Sequence, residues 1–228
     1  MKIIAHRGFS EGYPENTLLA FEKALESGAD GIETDLRLSL DQEVILFHDA
    51  SLKALTGLDK APEALTLAEL KELDAGRGER IPSLSELLRL IDARATLILE
   101  IKYKPSTYKK LCELVAREIH DRLKWVEVSC FEDSVLEYMH HLDPRIRLHK
   151  LIDRASLLQD KNLERRYDYA SYLDIDIKLR KRVSELGLIR SRKVIFWTVG
   201  KEDLSPEKEE GLYGIMTNNP LYLSQEAL

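Results

Sequence analysis

Residues 3–36 read IIAHRGFSEGYPENTLLAFEKALESGADGIETDL, and their pattern decides the fold class. Apolar runs at residues 3–6 and 31–36 predict two strands. Between them, residues 17–27 have helical periodicity, with Asn16 or Thr17 as the candidate N-cap and Gly28 where a helix commonly ends. A strand, a helix and a second strand in this order indicate a parallel sheet with helices packed on it, which is an α/β fold.

The alternation continues to the C-terminal end of the sequence. Further helices are predicted at residues 83–92, 108–122 and 177–186. Nine strands are predicted, one more than an eight-stranded barrel uses, at residues 3–6, 31–36, 44–48, 96–102, 126–131, 146–151, 169–175, 193–199 and 213–217. No linker or repeat divides the sequence, so we expect residues 1–228 to form a single domain.

The extra strand is expected within residues 36–49, where residues 39–43 are too few for a helix. A hairpin turning at Asp41-Gln42 would place His48 opposite Asp35. A bare return crossover would instead leave both residues at the same end of parallel strands. Either arrangement brings them close together. The polar segment that follows, residues 50–82, is expected to be a small insertion after the third strand.

Composition excludes several classes of protein. The 228 residues are 44% hydrophobic and 32% charged, with a net charge of −6, which argues against a nucleic-acid surface. Cys112 and Cys130 have no metal-site spacing and fit a reducing compartment. A signal sequence and a membrane span are not expected. We therefore expect a cytoplasmic protein with no stable membrane insertion; its oligomeric state stays open.

Four predicted strands share one property, which is polar side chains at their C-terminal ends. In parallel α/β sheets this is the end that carries function. Two-residue alternation puts Glu33 and Asp35 on one face, and Glu100 and Lys102 on one face of another strand. The remaining polar groups are His6, Arg7, His48 and Asp49.

These side chains together suit the cleavage of a phosphodiester. Three carboxylates offer the oxygen ligands that Mg²⁺ or Ca²⁺ prefers. Arginine and lysine match phosphate oxygens, and two histidines can supply a general base and a general acid near neutral pH. A bound cation would stabilise the developing charge.

The motifs resemble those of the glycerophosphodiester phosphodiesterase family. They are HRG followed by PENT at residues 6–17, E-x-D at 33–35, HD at 48–49 and E-x-K at 100–102, with VSCF at 128–131, FWTV at 196–199 and GIMTNNP at 214–220. The resemblance covers nearly the whole sequence. It implies a distorted TIM-type (β/α)8 barrel that hydrolyses glycerophosphodiesters, a small-molecule substrate class, to sn-glycerol 3-phosphate and an alcohol.

The resemblance also implies roles for individual residues. The metal ligands would be Glu33, Asp35 and Glu100; the acid and base would be His6 and His48; the phosphate would contact Arg7 and Lys102. Supporting roles are expected for Glu15 and Asn16, which can hold the loop that carries Arg7, and for Asp49, which can orient His48. Trp197 is either a wall of the substrate site or a core residue.

Three positions depart from the family pattern: Asn218 replaces an aspartate, Gly200 an asparagine and Ala54 an arginine. They leave the substrate range open. A lysophospholipase D-type phosphodiesterase is therefore the nearest alternative, and a non-catalytic barrel that binds phosphate metabolites is a more distant one. The other histidines, His149 among them, are interpreted as structural.

Overall fold

The computed structural model describes residues 1–159, 163–204 and 210–222, and eight parallel strands in it form a closed barrel. The strands of the described residues are β1 (Lys2–His6), β2 (Gly31–Leu38), β3 (Val44–Leu46), β4 (Thr96–Ile101), β5 (Val126–Cys130), β6 (Leu148–Ile152), β7 (Tyr172–Asp176), β8 (Val194–Trp197) and β9 (Gly214–Thr217). The barrel order is β1-β2-β4-β5-β6-β7-β8-β9, and β9 pairs with β1 to close it. The expected TIM-type barrel is confirmed.

Helices separate most of the barrel strands along the sequence. Those in the described part are α1 (Leu18–Glu26), α2 (Lys53–Thr56), α3 (Leu67–Glu72), α4 (Leu84–Ile91), α5 (Tyr108–Ile119), α6 (Asp133–Leu142), α7 (Leu163–Arg166), α8 (Arg180–Leu186) and α9 (Leu188–Ser191). Helix α1 begins as predicted, because the Thr17 hydroxyl accepts a hydrogen bond from the Ala20 N–H. Among these helices, none combines the length and the apolar composition that a membrane crossing requires.

The ninth strand is the second arm of a hairpin. Strand β3 pairs antiparallel with β2 and lies outside the barrel, so the hairpin alternative is right and the crossover is wrong. The predicted register is wrong by one residue, because Leu36 pairs with Leu46 and Asp35 faces Phe47 instead of His48. The reason is the turn: Gln42 has a φ of +64°, so three residues, not two, form the loop.

Residues 50–82 form the expected insertion between β3 and the helix that precedes β4. The insertion contains α2, a 3₁₀ turn at Pro62–Ala64 and α3. Apolar side chains of the insertion pack with those of β3 in a cluster of their own, formed by Ile45, Phe47, Leu52, Leu65, Leu70, Ala75 and Ile81. The insertion is therefore fixed to the hairpin by burial of apolar surface.

Apolar side chains fill the barrel below its C-terminal mouth. They are Ile4, Ile98, Tyr172, Ile195 and Met216, which form one buried cluster. Side chains two residues apart in a strand share a face. Ile4 therefore lies beneath His6, and Ile98 beneath Glu100. The core thus forces the polar residues at the strand ends to line the mouth. Cys112 and Cys130 are free and buried.

Replacing Gly8 with alanine should destabilise the protein far more than replacing Gly28. Both glycines have a positive φ, +78° and +77°. A Cβ at Gly8 would lie 2.7 Å from the Ala20 carbonyl carbon, whereas at Gly28 nothing lies within 4 Å. We expect a loss of about 1–2 kcal/mol from backbone strain at Gly28, and a further loss of about 1–3 kcal/mol at Gly8 from overpacking. Urea unfolding measures both, and equal losses would contradict the close approach.

Candidate active site

Parallel pairing brings the predicted carboxylates together. His6 at the end of β1 pairs with Glu33 in β2, and Asp35 in β2 pairs with Glu100 in β4. All three acidic side chains are buried. One carboxylate oxygen from each can be chosen so that all three lie within 4.8 Å of one another. The convergence expected from two-residue alternation is therefore present in the structure.

The carboxylates differ in their electrostatic surroundings. Burial and the neighbouring Asp35 and Glu100 raise the pKa of Glu33 well above its usual value. Burial raises the pKa of Glu100 to about 7, although Lys102 opposes the shift. Burial also opposes the ionisation of Asp35, but Lys102 and Arg7 outweigh it and hold its pKa well below the usual range. The cluster therefore carries excess negative charge that is costly without a further cation.

This donor set fits a hard divalent cation. Its ligand atoms are carboxylate oxygens from Glu33, Asp35 and Glu100, with no thiol or imidazole among them. Oxygen donors of this kind suit Mg²⁺ or Ca²⁺. A divalent charge at this point would also offset the burial that raises the pKa of Glu33 and Glu100. The residues present therefore fit the expected metal.

Arg7 lies against the carboxylate cluster and is held on three sides. Its backbone N–H donates to Glu33 Oε2 at 3.1 Å, its Nε is 3.3 Å from Asp35 Oδ2, and its Nη1 donates to Glu15 Oε1 at 3.0 Å. Its φ is +56°, so the backbone turns sharply after β1. This turn aims the guanidinium across the mouth, and Glu15 makes the contact expected of a supporting residue.

Asn16 and Lys102 complete the surroundings of Asp35. The Asn16 side-chain amide donates to Asp35 Oδ2 at 2.8 Å, and its oxygen accepts from the Thr34 hydroxyl at 2.8 Å. Lys102 Nζ lies 2.8 Å from Asp35 Oδ1 and donates to Glu100 Oε1 at 2.6 Å. Asn16 therefore contacts a predicted metal ligand directly, which is closer to the chemistry than the loop contact expected from sequence.

His6 is oriented by Asn218, which in the sequence stands out only as a departure from the family pattern. His6 Nδ1 lies 2.7 Å from Asn218 Oδ1, and its Nε2 lies 3.9 Å from Glu33 Oε2. An amide oxygen only accepts, so Nδ1 carries the proton and Nε2 keeps its lone pair. Burial, followed by Arg7, lowers the pKa of His6 to about 4. His6 is thus a neutral imidazole whose free nitrogen faces the cluster.

His48 reaches the site by a different route. The Phe47 N–H donates to the Asp35 carbonyl at 3.0 Å, so the next residue leaves the hairpin beside the carboxylate cluster. The charge of His48 contributes to the low pKa of Asp35, which reflects this proximity. His48 Nδ1 lies 2.7 Å from Asp49 Oδ1. Since β3 runs antiparallel to β2, His48 does not reach the site at the C-terminal end of a parallel strand. The hairpin places it there.

Trp197 lies at the end of β8 and is partly exposed. Its indole N–H donates to the Asp174 carbonyl at 3.0 Å, and its ring meets Phe131 edge-on with centroids 5.6 Å apart. The polar end of the indole is therefore occupied by the barrel itself. A wall of the substrate site formed by its ring stays a prediction.

Comparisons with known proteins agree on one family. Residues 6–221 match the model of the glycerophosphoryl diester phosphodiesterase family. A glycerophosphodiester phosphodiesterase from Caldanaerobacter subterraneus subsp. tengcongensis is 32% identical over 96% of this chain and 94% of its own length.

Solved structures show the same likeness over the whole fold. A phosphodiesterase from Oleispira antarctica, solved in complex with the product sn-glycerol-3-phosphate, superimposes with a TM-score of 0.87 and 26% identity, covering 100% of this chain and 96% of that one. A glycerophosphodiester phosphodiesterase from Thermotoga maritima gives a TM-score of 0.85 and 27% identity, with coverage of 100% and 98%.

Proposed function

The chain belongs to the glycerophosphoryl diester phosphodiesterase family and is a phosphodiesterase; we propose that it hydrolyses glycerophosphodiesters to sn-glycerol 3-phosphate and an alcohol, with the help of a divalent cation. One observation carries the proposal: three buried carboxylates, two histidines, an arginine and a lysine meet at the C-terminal mouth of the barrel. The product in the Oleispira antarctica structure is the one that this reaction would release.

The cation would be held by Glu33, Asp35 and Glu100. When bound, it would supply positive charge that polarises the phosphoryl group and stabilises the charge that develops on its oxygens. Arg7 and Lys102 flank the same carboxylates and would contact the phosphate oxygens. Two cationic side chains at this position would hold the phosphorus in place between the two histidines.

The partners of the two histidines support different roles for them. His6 is neutral and keeps a free Nε2, so it would accept the proton of the attacking hydroxyl. His48 has a carboxylate partner in Asp49, which holds its Nδ1, and it would donate a proton to the departing alcohol oxygen as the P–O bond breaks. The different partners, an amide for His6 and a carboxylate for His48, support this division between base and acid.

The attacking hydroxyl would come from the glycerol part of the substrate. An intramolecular attack is favoured because nucleophile and phosphorus are already tethered, and it would give a cyclic phosphate that water then opens. Departures such as Asn218 do not remove a proposed acid, base or ligand, since Asn218 still accepts from His6. The enzyme is accordingly favoured over the non-catalytic phosphate-binding barrel.

A panel of soluble diesters tests the proposal. We expect release of glycerol 3-phosphate from glycerophosphocholine or glycerophosphoethanolamine, loss of activity with EDTA, and recovery on adding Mg²⁺ or Ca²⁺. Because protons on Glu33 and Glu100 compete with the cation, the cation concentration needed for half-recovery should fall as the pH rises from 5 to 8.

Lysolipids in the same panel test the nearest alternative. Cleavage of lysolipids with no cleavage of soluble diesters would favour a lysophospholipase D-type enzyme. Full activity in EDTA, after dialysis against chelating resin, would contradict the metal requirement. A cytoplasmic location and the absence of nucleic-acid partners stay predictions, as does the single domain over residues 1–228.

A further inference from the structure

Arg37 makes a contact that the proposed mechanism leaves unused. It lies in β2, two residues beyond Asp35 and on the same face of the strand. Its Nε and Nη2 both donate to the main-chain carbonyl of His48, at 3.0 Å and 2.9 Å. The side chain is only 13% exposed. A largely buried guanidinium thus holds the backbone of a proposed catalytic histidine with two donors.

The third donor of Arg37 connects this contact to the insertion. Its Nη1 donates to Glu63 Oε1 at 3.2 Å, and Glu63 lies in the 3₁₀ turn Pro62–Ala64 of residues 50–82. Glu63 is itself only 15% exposed. Its other oxygen is 3.5 Å from Lys104 Nζ. Glu63 therefore fixes the plane of the guanidinium, and through it the position of the His48 carbonyl.

His48 needs such a contact because it lies beyond the end of its strand. Strand β3 ends at Leu46, and the Phe47 N–H still donates to the Asp35 carbonyl of β2. His48 follows that bond, where a chain normally begins to move more freely. The ring is restrained by Asp49, but Asp49 is its neighbour on the same segment and is half exposed. The contact from Arg37 ties this segment to the barrel wall.

We propose that Arg37 and Glu63 form a clamp that positions His48 for the reaction. The inference rests on the proposed function, since it assigns the clamp to His48 as an acid–base group. It also gives the insertion a role in catalysis, because the barrel supplies Arg37 and the insertion supplies the carboxylate that orients it. Arg37 is a positioning residue, because it acts on the reaction through His48 and not on the substrate.

Kinetics of Arg37→Met test the clamp. Misplacement of a reacting group by about 1 Å costs about 10²-fold in rate, so we expect kcat to fall about 10²-fold while KM and the cation requirement change less than twofold. Arg37→Lys, which keeps the charge but lacks the planar pair of donors that both reach the His48 carbonyl, should fall between this variant and the wild type. Lys104→Met is the matched control, because Lys104 contacts the same Glu63 but not His48, and it should keep wild-type activity.

A double variant separates positioning from substrate contact. If Arg37 acts through His48, then Arg37→Met should not slow the His48→Ala enzyme further. An equal loss in both backgrounds would overturn the proposal, as would an Arg37→Met enzyme with wild-type kcat. If Arg37→Met fails to fold, as judged by circular dichroism, Arg37→Lys and Glu63→Gln provide the same comparison.

A spectroscopic measurement tests the clamp without relying on activity. The imidazole Cε1–H resonance of His48 can be assigned in a ¹H–¹³C spectrum by its loss in His48→Ala. We expect it to shift or broaden in Arg37→Met and to stay unchanged in Lys104→Met. An unchanged resonance in Arg37→Met would overturn the clamp even if the diesterase activity itself were absent.

Discussion

Replacing Glu33 with glutamine should abolish the diesterase activity and at the same time stabilise the metal-free protein. Glu33 is 2% exposed and lies with Asp35 and Glu100 in the carboxylate cluster. Without the charge of Glu33, the cation loses a ligand. We expect activity to fall at least about 10³-fold, because a bound cation supplies several kcal/mol of transition-state stabilisation. The rise in melting temperature on adding Mg²⁺ or Ca²⁺ should disappear as well.

The opposite effect on the metal-free protein follows from the pKa of Glu33. Burial and its acidic neighbours raise that pKa in the folded state. A carboxyl group with a raised folded pKa destabilises the fold above its unfolded pKa of about 4.5, increasingly as the pH rises towards the folded value. Glutamine removes this penalty. In EDTA, the melting temperature of Glu33→Gln should therefore exceed that of the wild type, by a margin that grows from pH 5 to pH 8.

His6→Ala is the matched control for this experiment. It should also lose activity, because the proposed base is gone, but it keeps all three carboxylates and should keep the melting-temperature rise with the cation. A Glu33→Gln protein that retains activity, or that is still stabilised by the cation as strongly as the wild type, would contradict the ligand role of Glu33.

The sequence predicts most of the carboxylate cluster because its information is local. Glu33 and Asp35 share a face by two-residue alternation, and so do Glu100 and Lys102. The helix α1 also begins and ends close to its capping residues, Thr17 and Gly28. Each of these features depends on residues a few positions apart, where propensity and periodicity are informative.

Features that depend on long-range pairing were not predictable in the same way. His6 and its partner Asn218 are 212 residues apart, and only closure of the barrel by β9 brings them together. The register of the hairpin depends on one residue, Gln42, in a left-handed conformation that its sequence does not demand. Arg37 lies on the same face of β2 as Glu33 and Asp35. Its hydrogen-bond acceptor is a main-chain carbonyl, a group that every residue has, so the sequence does not identify this contact.

A buried ionic cluster inside the barrel is a further long-range feature. His149 in β6 is fully buried; its Nδ1 lies 3.0 Å from each Asp174 carboxylate oxygen, and its Nε2 lies 2.8 Å from Glu127 Oε2. Both ring nitrogens face carboxylates, and only the protonated ring donates from both. Burial lowers the pKa of His149, but Asp174 and Glu127 outweigh it and raise it to about 9. The structural interpretation of His149 therefore holds.

Other groups surround this ring and its two carboxylates. Tyr172 stacks on it with centroids 4.1 Å apart and donates its hydroxyl to Glu127 at 3.2 Å. Arg147 Nε lies 2.9 Å from the same carboxylate, and the Trp197 indole donates to the Asp174 carbonyl. The cluster joins β5, β6 and β7 through side chains. Removing the central cation would leave Asp174 buried without its partner, while Glu127 would keep Arg147.

His149→Leu should therefore destabilise the protein by about 3–5 kcal/mol, the usual loss when one partner of a buried ion pair is removed. A histidine with a raised folded pKa contributes stability that is complete below its unfolded pKa of about 6.5 and is lost as the pH rises through the folded pKa of about 9. The wild-type advantage over His149→Leu should accordingly shrink between pH 6.5 and pH 9. Urea unfolding of both proteins with saturating Mg²⁺ measures this difference, free of the pH dependence of the metal site.

Two further variants separate the charge of His149 from its packing. His120→Ala, at a histidine side chain 62% exposed, should change stability by less than about 0.5 kcal/mol. Asp174→Asn combined with His149→Leu should recover part of the loss, because the buried carboxylate that paired with His149 is then neutral, whereas Glu127 keeps its ion pair with Arg147. A wild-type advantage that stays constant from pH 6.5 to pH 9 would show that His149 stabilises the barrel by packing alone.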